Sequence, residues 1–123
     1  MRVKVLSDVH LEHMDSCPAI DAFIPPNEHV DILCLCGDIG DPTMPIYTEF
    51  IQQCASRCAQ YTFVVMGNHE AYGSTLDAAV AAIQQVCDRV DKAIFLNNAT
   101  YDVYGYRFAG TTLWSDIHPA EAW

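Results

Sequence analysis

VDILCLCGD, residues 30–38, is an unbroken apolar run that ends in Gly37 and Asp38. It shows no alternation, so a strand here presents apolar side chains to both sides. Strands of that kind belong to parallel sheets whose two faces are covered. A second run of the same type, YTFVVMGN, spans residues 61–68, and RVKVLS (2–7) is an alternating, β-branched strand near the start. Between the two buried runs, TMPIYTEFIQQCASRCAQ (43–60) carries Ile46, Phe50, Ile51, Cys54 and Cys58 at helical spacing. STLDAAVAAIQQVCDRV (74–90) predicts a second helix, with Ser74 and Asp77 capping its start. Its expected inward stripe is Leu76, Val80, Ile83, Cys87 and Val90.

KAIFLNN (92–98) predicts a further strand, and ATYDVYGYRFAGTTLWSD (99–116) two more that turn near Gly105. The segment from Asp8 to about His29 is irregular, with room for a short helix around Ala19–Phe23. The order β, loop, β, α, β, α, β requires crossover connections, which make the sheet largely parallel and the class α/β. Parallel strands point the same way. The residues just past their ends therefore gather on one edge, where open α/β sheets place their sites.

Three strands end in chemistry-bearing residues. The first gives Asp8 and His10; the second, Gly37-Asp38 and then Asp41; the third, Gly67-Asn68-His69-Glu70. Left without a counter-charge, carboxylates collected there would repel one another and resist desolvation. A divalent metal removes that difficulty, and a mixed oxygen and nitrogen donor set suits Mn, Fe or Zn. Asp and Asn also end strands simply because they make turns. Three such clusters in this order outweigh that bland account.

Composition sets the surroundings. The 123 residues are 51% hydrophobic, enough for one modest core, and no internal boundary is visible. Sixteen acidic residues against six basic ones give a net charge of -10, which argues against nucleic-acid and anionic-membrane partners. A phosphate-bearing substrate needs bound cations to invert the local field. No apolar run reaches the roughly 20 residues of a membrane span, and no secretory signal opens the chain. The expected compartment is the cytoplasm. The six cysteines lack C-x-x-C spacing and are expected to be free core thiols rather than a zinc site.

DVH, GDIGD and GNHE together resemble the first three motifs of the calcineurin-like metallophosphoesterases. GTTLWSD is similar to a later strand in many bacterial and phage members. The resemblance implies the first half of an αββα sandwich, with residues 1–123 a single, incomplete domain. It implies two divalent metal ions, with Asp8 and His10 on the first, Asp38 bridging both, and Asn68 on the second. His69 matches the catalytic histidine, and Asp41 the aspartate that orients it, although Pro42 stands where an arginine follows in the longer motif. The implied activity is hydrolysis of phosphate mono- or diesters. The alternative is a non-catalytic interaction module on the same fold, against which the intact GNHE argues.

The family's late histidine motifs are missing: there is no Gly-His pair, and His118 is the one histidine after His69. The chain is thus expected to be the N-terminal half of a longer protein, weakly active or inactive alone. His13 and Glu12 are expected on a solvated loop and His29 at the surface. Glu70 is expected to hold its loop by hydrogen bonding, Tyr72 to be an ordinary exposed loop tyrosine, and Trp114 to pack in the core or at a sheet edge.

Overall fold

A computed structural model of the chain describes residues 1–114; His118 and the end of GTTLWSD lie outside the described residues. Four strands, β1 (Val3–Leu6), β2 (Ile32–Cys36), β3 (Tyr61–Val65) and β4 (Ala93–Phe95), form one sheet in the order β1-β2-β3-β4. All three pairings are parallel. Leu6 aligns with Leu35, Leu35 with Val64, and Val64 with Phe95, so the strand ends are level.

That order has a consequence. Every crossover steps in the same direction, and right-handed crossovers then all fall on one face. Helix α1 (Pro45–Arg57) and helix α2 (Leu76–Arg89) accordingly share one core with Leu33, Leu35, Val64, Ala93 and Phe95. Phe50, Ile51, Ile83 and Leu35 are fully enclosed there. Each such side chain contributes about 1.5–3 kcal/mol of burial.

The two helices meet that core through most of the residues the spacing predicts, including Cys58, Val90 and the partly buried Val80, with some additions and one exception. In α1 the fully buried Tyr47 and Ala55 join Phe50, Ile51 and Cys54, while Ile46 is only half-buried. In α2 the buried stripe is Ala79, Ile83, Val86 and Cys87, and Leu76 is 50% exposed. Leu76 is the first residue of the helix. The cap is Thr75, whose hydroxyl accepts from Ala78 N at 3.1 Å, one residue after the expected Ser74. The short helix expected near Ala19–Phe23 is a 3-10 turn at Ile20–Ala22.

The opposite face of the sheet carries a separate antiparallel hairpin, β5 (Ala99–Val103) and β6 (Tyr106–Gly110). Its two-residue turn, Tyr104-Gly105, has positive φ at both positions, the geometry that matches strand twist in a tight hairpin. β6 ends at Gly110, and Thr111–Trp114 continue without regular structure. Val103, Phe108 and Tyr101 cover Ile32, Phe63 and Leu96. The cover stops short of the β1 side: Val3, Val5 and Cys36 remain exposed. Cys36 is thus not the core thiol its apolar strand predicts, because nothing among the described residues packs on that part of the face.

All six cysteines are free. Burial pushes the Cys34 thiol up to about 11 and Cys87 to about 12, with Cys54 raised further, so the buried sulfurs stay protonated and inert. Reductant is expected to leave the melting temperature unchanged. A fall on the scale of a lost native disulfide, about 2–5 kcal/mol, would overturn this assignment. Among the described residues no helix is long and apolar enough to cross a membrane.

Candidate metal centre

Level, parallel strand ends bring the loops after β1, β2 and β3 side by side. The first loop is pinned to the second through backbone bonds: Asp8 N to Gly37 O (3.0 Å), His10 N to Asp38 O (3.0 Å) and Leu11 N to Ile39 O (2.8 Å). Asp8, His10 and Asp38 all take positive φ, 57°, 56° and 53°. Left-handed backbone costs a non-glycine residue about 1–2 kcal/mol. Three such residues together mark a site whose geometry the surrounding structure imposes. Between Asp8 and His10, Val9 points into the core as an anchor.

The second and third loops touch through glycine. A Cβ on Gly37, itself at φ 91°, would lie 2.8 Å from Gly67 Cα, and one on Gly67 would collide with Asp38. Only glycine lets these backbones approach so closely. Glu70 then ties the two loops together. Its Oε1 accepts from Asp38 N (2.9 Å) and Gly67 N (2.5 Å), and its Oε2 from Ile39 N (2.8 Å) and Gly40 N (3.3 Å). Glu70 is 3% exposed, and this is the loop-holding role expected of it. Burial pushes its carboxyl up, while the four N–H donors pull it down.

Asp8, His10 and Asp38 each offer a donor atom, and the three atoms lie within 4.8 Å of one another. His10 Nε2 faces Asp8 Oδ1 at 3.6 Å. Asn68 sits on the far side of Asp38 and carries an orientation choice. In one amide orientation its Nδ2 donates to both Asp38 oxygens (3.2 and 3.3 Å) and its oxygen accepts from the Tyr72 hydroxyl (3.2 Å). In the other, Nδ2 donates to Tyr72 Oη at 3.2 Å and the amide oxygen faces the carboxylate. The donor set fits divalent ions: two carboxylates, one imidazole nitrogen and the Asn68 amide beside Asp38.

His69 also reaches the cluster. Its backbone N–H donates to Asp38 Oδ1 at 2.9 Å. Its ring lies edge-on to His10 (centroids 4.8 Å apart) and against Tyr72 (4.3 Å). Asp41 follows in the loop after β2. Its Oδ1 accepts from Thr43 N (2.9 Å) and Thr43 Oγ1 (2.7 Å), a local turn at the approach to α1. No hydrogen bond or ion pair joins Asp41 to His69 among the described residues.

The carboxylate near both histidines is Glu12, and here the solvated-loop expectation fails. Glu12 lies on a 3-10 turn, Leu11–His13, that folds back beside the site. Its Oε1 is 2.8 Å from His10 Nδ1. His13 is exposed, as expected, and His29 pairs with Asp31 at the surface. The spacing His-x-Glu was a weak signal for the His10–Glu12 contact, since two residues apart means one face only if the turn closes. Tyr72 is 60% exposed, yet its contacts with Asn68 and His69 place it at the site. Trp114 is half exposed and lines, with Cys36, Asp38, Asn68, Thr112 and Leu113, an open cleft of about 790 Å³ beside the cluster.

The Glu12 hydrogen bond raises His10 above its ordinary 6.5; burial opposes it, and the charges of Glu12, Asp38 and Asp8 add to it. The sign follows: in metal-free protein the protonated pair stabilises the fold below 6.5, and this is lost as pH rises through the raised value. A cation needs the neutral ring, so apparent metal affinity should fall as pH drops through that same value. Manganese titrations between about pH 5 and 8 measure it. A flat affinity across that range would remove His10 from the ligand set.

A parallel sheet gathering oxygen and nitrogen donors at one edge defines a class of divalent-metal α/β proteins. The profile of the family described as calcineurin-like phosphoesterase matches residues 1–120. The chain belongs to that family, whose members typically use divalent metals. It is also 30% identical, over 99% of its length, to an uncharacterized protein of Acanthamoeba polyphaga mimivirus. The chain spans 48% of that relative.

Proposed function

We propose that the chain carries the N-terminal ligand set of a dinuclear metal phosphoesterase acting on phosphate mono- or diesters. One observation carries this: Asp8, His10 and Asp38 converge within 4.8 Å at neighbouring strand ends, with Asn68 against Asp38. Asp8 and His10 would hold the first ion, Asp38 both, and Asn68 the second, with Mn, Fe or Zn suited to these donors. Such ions, when bound, acidify water and neutralise phosphoryl oxygens.

The remaining work falls to the chain's own groups. Asp38 is held by the His69 N–H, so its carboxylate keeps one orientation. The His69 ring, beside the cluster and partly open, can protonate a leaving oxygen. Asp41, bound to Thr43, would support the loop that carries Asp38 rather than orient His69. The cleft beside Asp38 and Asn68 offers room for a phosphoester's organic group against Leu113 and Trp114. The acidic surface favours small esters over long nucleic acids.

The test is manganese calorimetry with hydrolysis of p-nitrophenyl phosphate and bis(p-nitrophenyl) phosphate by the full-length polypeptide. Asp38→Asn should weaken metal binding by more than about 100-fold, since even partners outside the ligand shell cost about 10–100-fold. Unchanged affinity would sink the ligand assignment. Tight metal binding with neither ester cleaved would favour the non-catalytic interaction module.

A further inference from the structure

We propose that Glu12 is a shared positioning carboxylate, fixing the imidazoles of both His10 and His69 from one side. The proposal rests on the metal-centre assignment above. Glu12 Oε1 lies 2.8 Å from His10 Nδ1 and 3.8 Å from His69 Nδ1. The two rings meet edge to face, so one carboxylate addresses the Nδ1 atoms of both. Glu12 Oε2 is buried and has no hydrogen-bond partner among the described residues. A buried carboxylate oxygen left unpaired is costly, and a small rotation that gave one oxygen to each ring would satisfy it.

The chemical consequence is tautomer control. An acceptor at Nδ1 holds the proton there and leaves Nε2 with its lone pair. For His10, that lone pair points toward Asp8 and the expected cation, 3.6 Å from Asp8 Oδ1. For His69, the same arrangement leaves Nε2, on the side of the ring away from Glu12, with the lone pair that can exchange a proton. One glutamate thereby sets a metal ligand and the proton-handling group in register. Asp41, with its carboxylate committed to Thr43, does neither. Glu12 is half-buried on a turn whose neighbour Leu11 is fully enclosed, so its own position is firm.

Metal-free protein, held at a pH where the rings are neutral, is examined by nitrogen-detected histidine NMR. Both His10 and His69 should be protonated at Nδ1, the minor form of a free imidazole. Glu12→Ala should return both to the Nε2-protonated form and weaken manganese binding by about 10–100-fold. Glu12→Gln keeps an acceptor without the charge. It should retain the tautomers and lose less affinity, which separates positioning from a folding defect.

His10→Ala is the control for the underlying assignment. If it leaves manganese affinity unchanged, the metal centre is wrong. If it abolishes binding while Glu12→Ala changes neither tautomer nor affinity, the metal centre stands and the role of Glu12 is overturned. A Glu12→Ala protein in which His10 changes tautomer and His69 does not would overturn the shared role.

Discussion

Glu70→Ala is expected to cost about 3–5 kcal/mol, since each buried polar group left without its partner costs about 1–3 kcal/mol. The four backbone donors of Gly67, Asp38, Ile39 and Gly40 lose their acceptor, those of Ile39 and Gly40 in fully buried surroundings. A domain of this kind has about 5–15 kcal/mol in total, so the loss is a large fraction of its stability. Glu70→Gln should be nearly as harmful. One carboxylate oxygen becomes an NH2 facing N–H donors, so two of the four bonds turn into repulsions. Urea unfolding of both variants measures it. A loss below about 1 kcal/mol for Glu70→Ala would mean that the loops hold one another without the carboxylate.

His69→Ala is expected to leave the fold and the metal content near wild type while reducing turnover by about 10²–10⁴-fold. The contact that His69 makes with Asp38 comes from its backbone N–H, which the substitution keeps. What disappears is the imidazole, and with it the proton donor proposed for the leaving oxygen. Metal analysis beside a steady-state assay of the full-length polypeptide separates the outcomes. Loss of bound metal would make the ring a ligand and reassign the chemistry.

The two substitutions divide the GNHE stretch by function. Glu70 builds the platform, and His69 stands on it. The adjacent residues differ this much because a 3-10 turn at His69–Ala71 points one side chain into the loops and sets the other, partly exposed, against His10 and Tyr72.

Much of this was legible in the residues alone. Continuous apolar runs at 30–38 and 61–68 announce parallel strands, and parallel strands bring Asp8, Asp38 and Asn68 to one edge whatever the packing details. The glycines beside Asp38 and Asn68 follow from the same closeness. Helix faces were less legible. In α2, apolar residues occur on more than one side, so Leu76 and Ala79 compete for the inward position; the sheet selects the small Ala79 and leaves Leu76 at the margin. Tyr47 of α1 lies outside the spacing pattern drawn from the purely apolar residues, yet its ring is fully enclosed.

Pattern along the chain thus determined the class of fold and the edge on which the donors meet. Tertiary structure decided what covers each face and which side chain holds which. Cys36 is exposed because the hairpin ends before β1, a matter of distance between segments some 60 residues apart. Glu12 meets His10 because left-handed backbone at Asp8 and His10 folds the next turn inward, and those angles are held by bonds to Gly37 and Asp38 on another strand. Local periodicity carries no record of such contacts, since they depend on groups that become neighbours only when the sheet has closed.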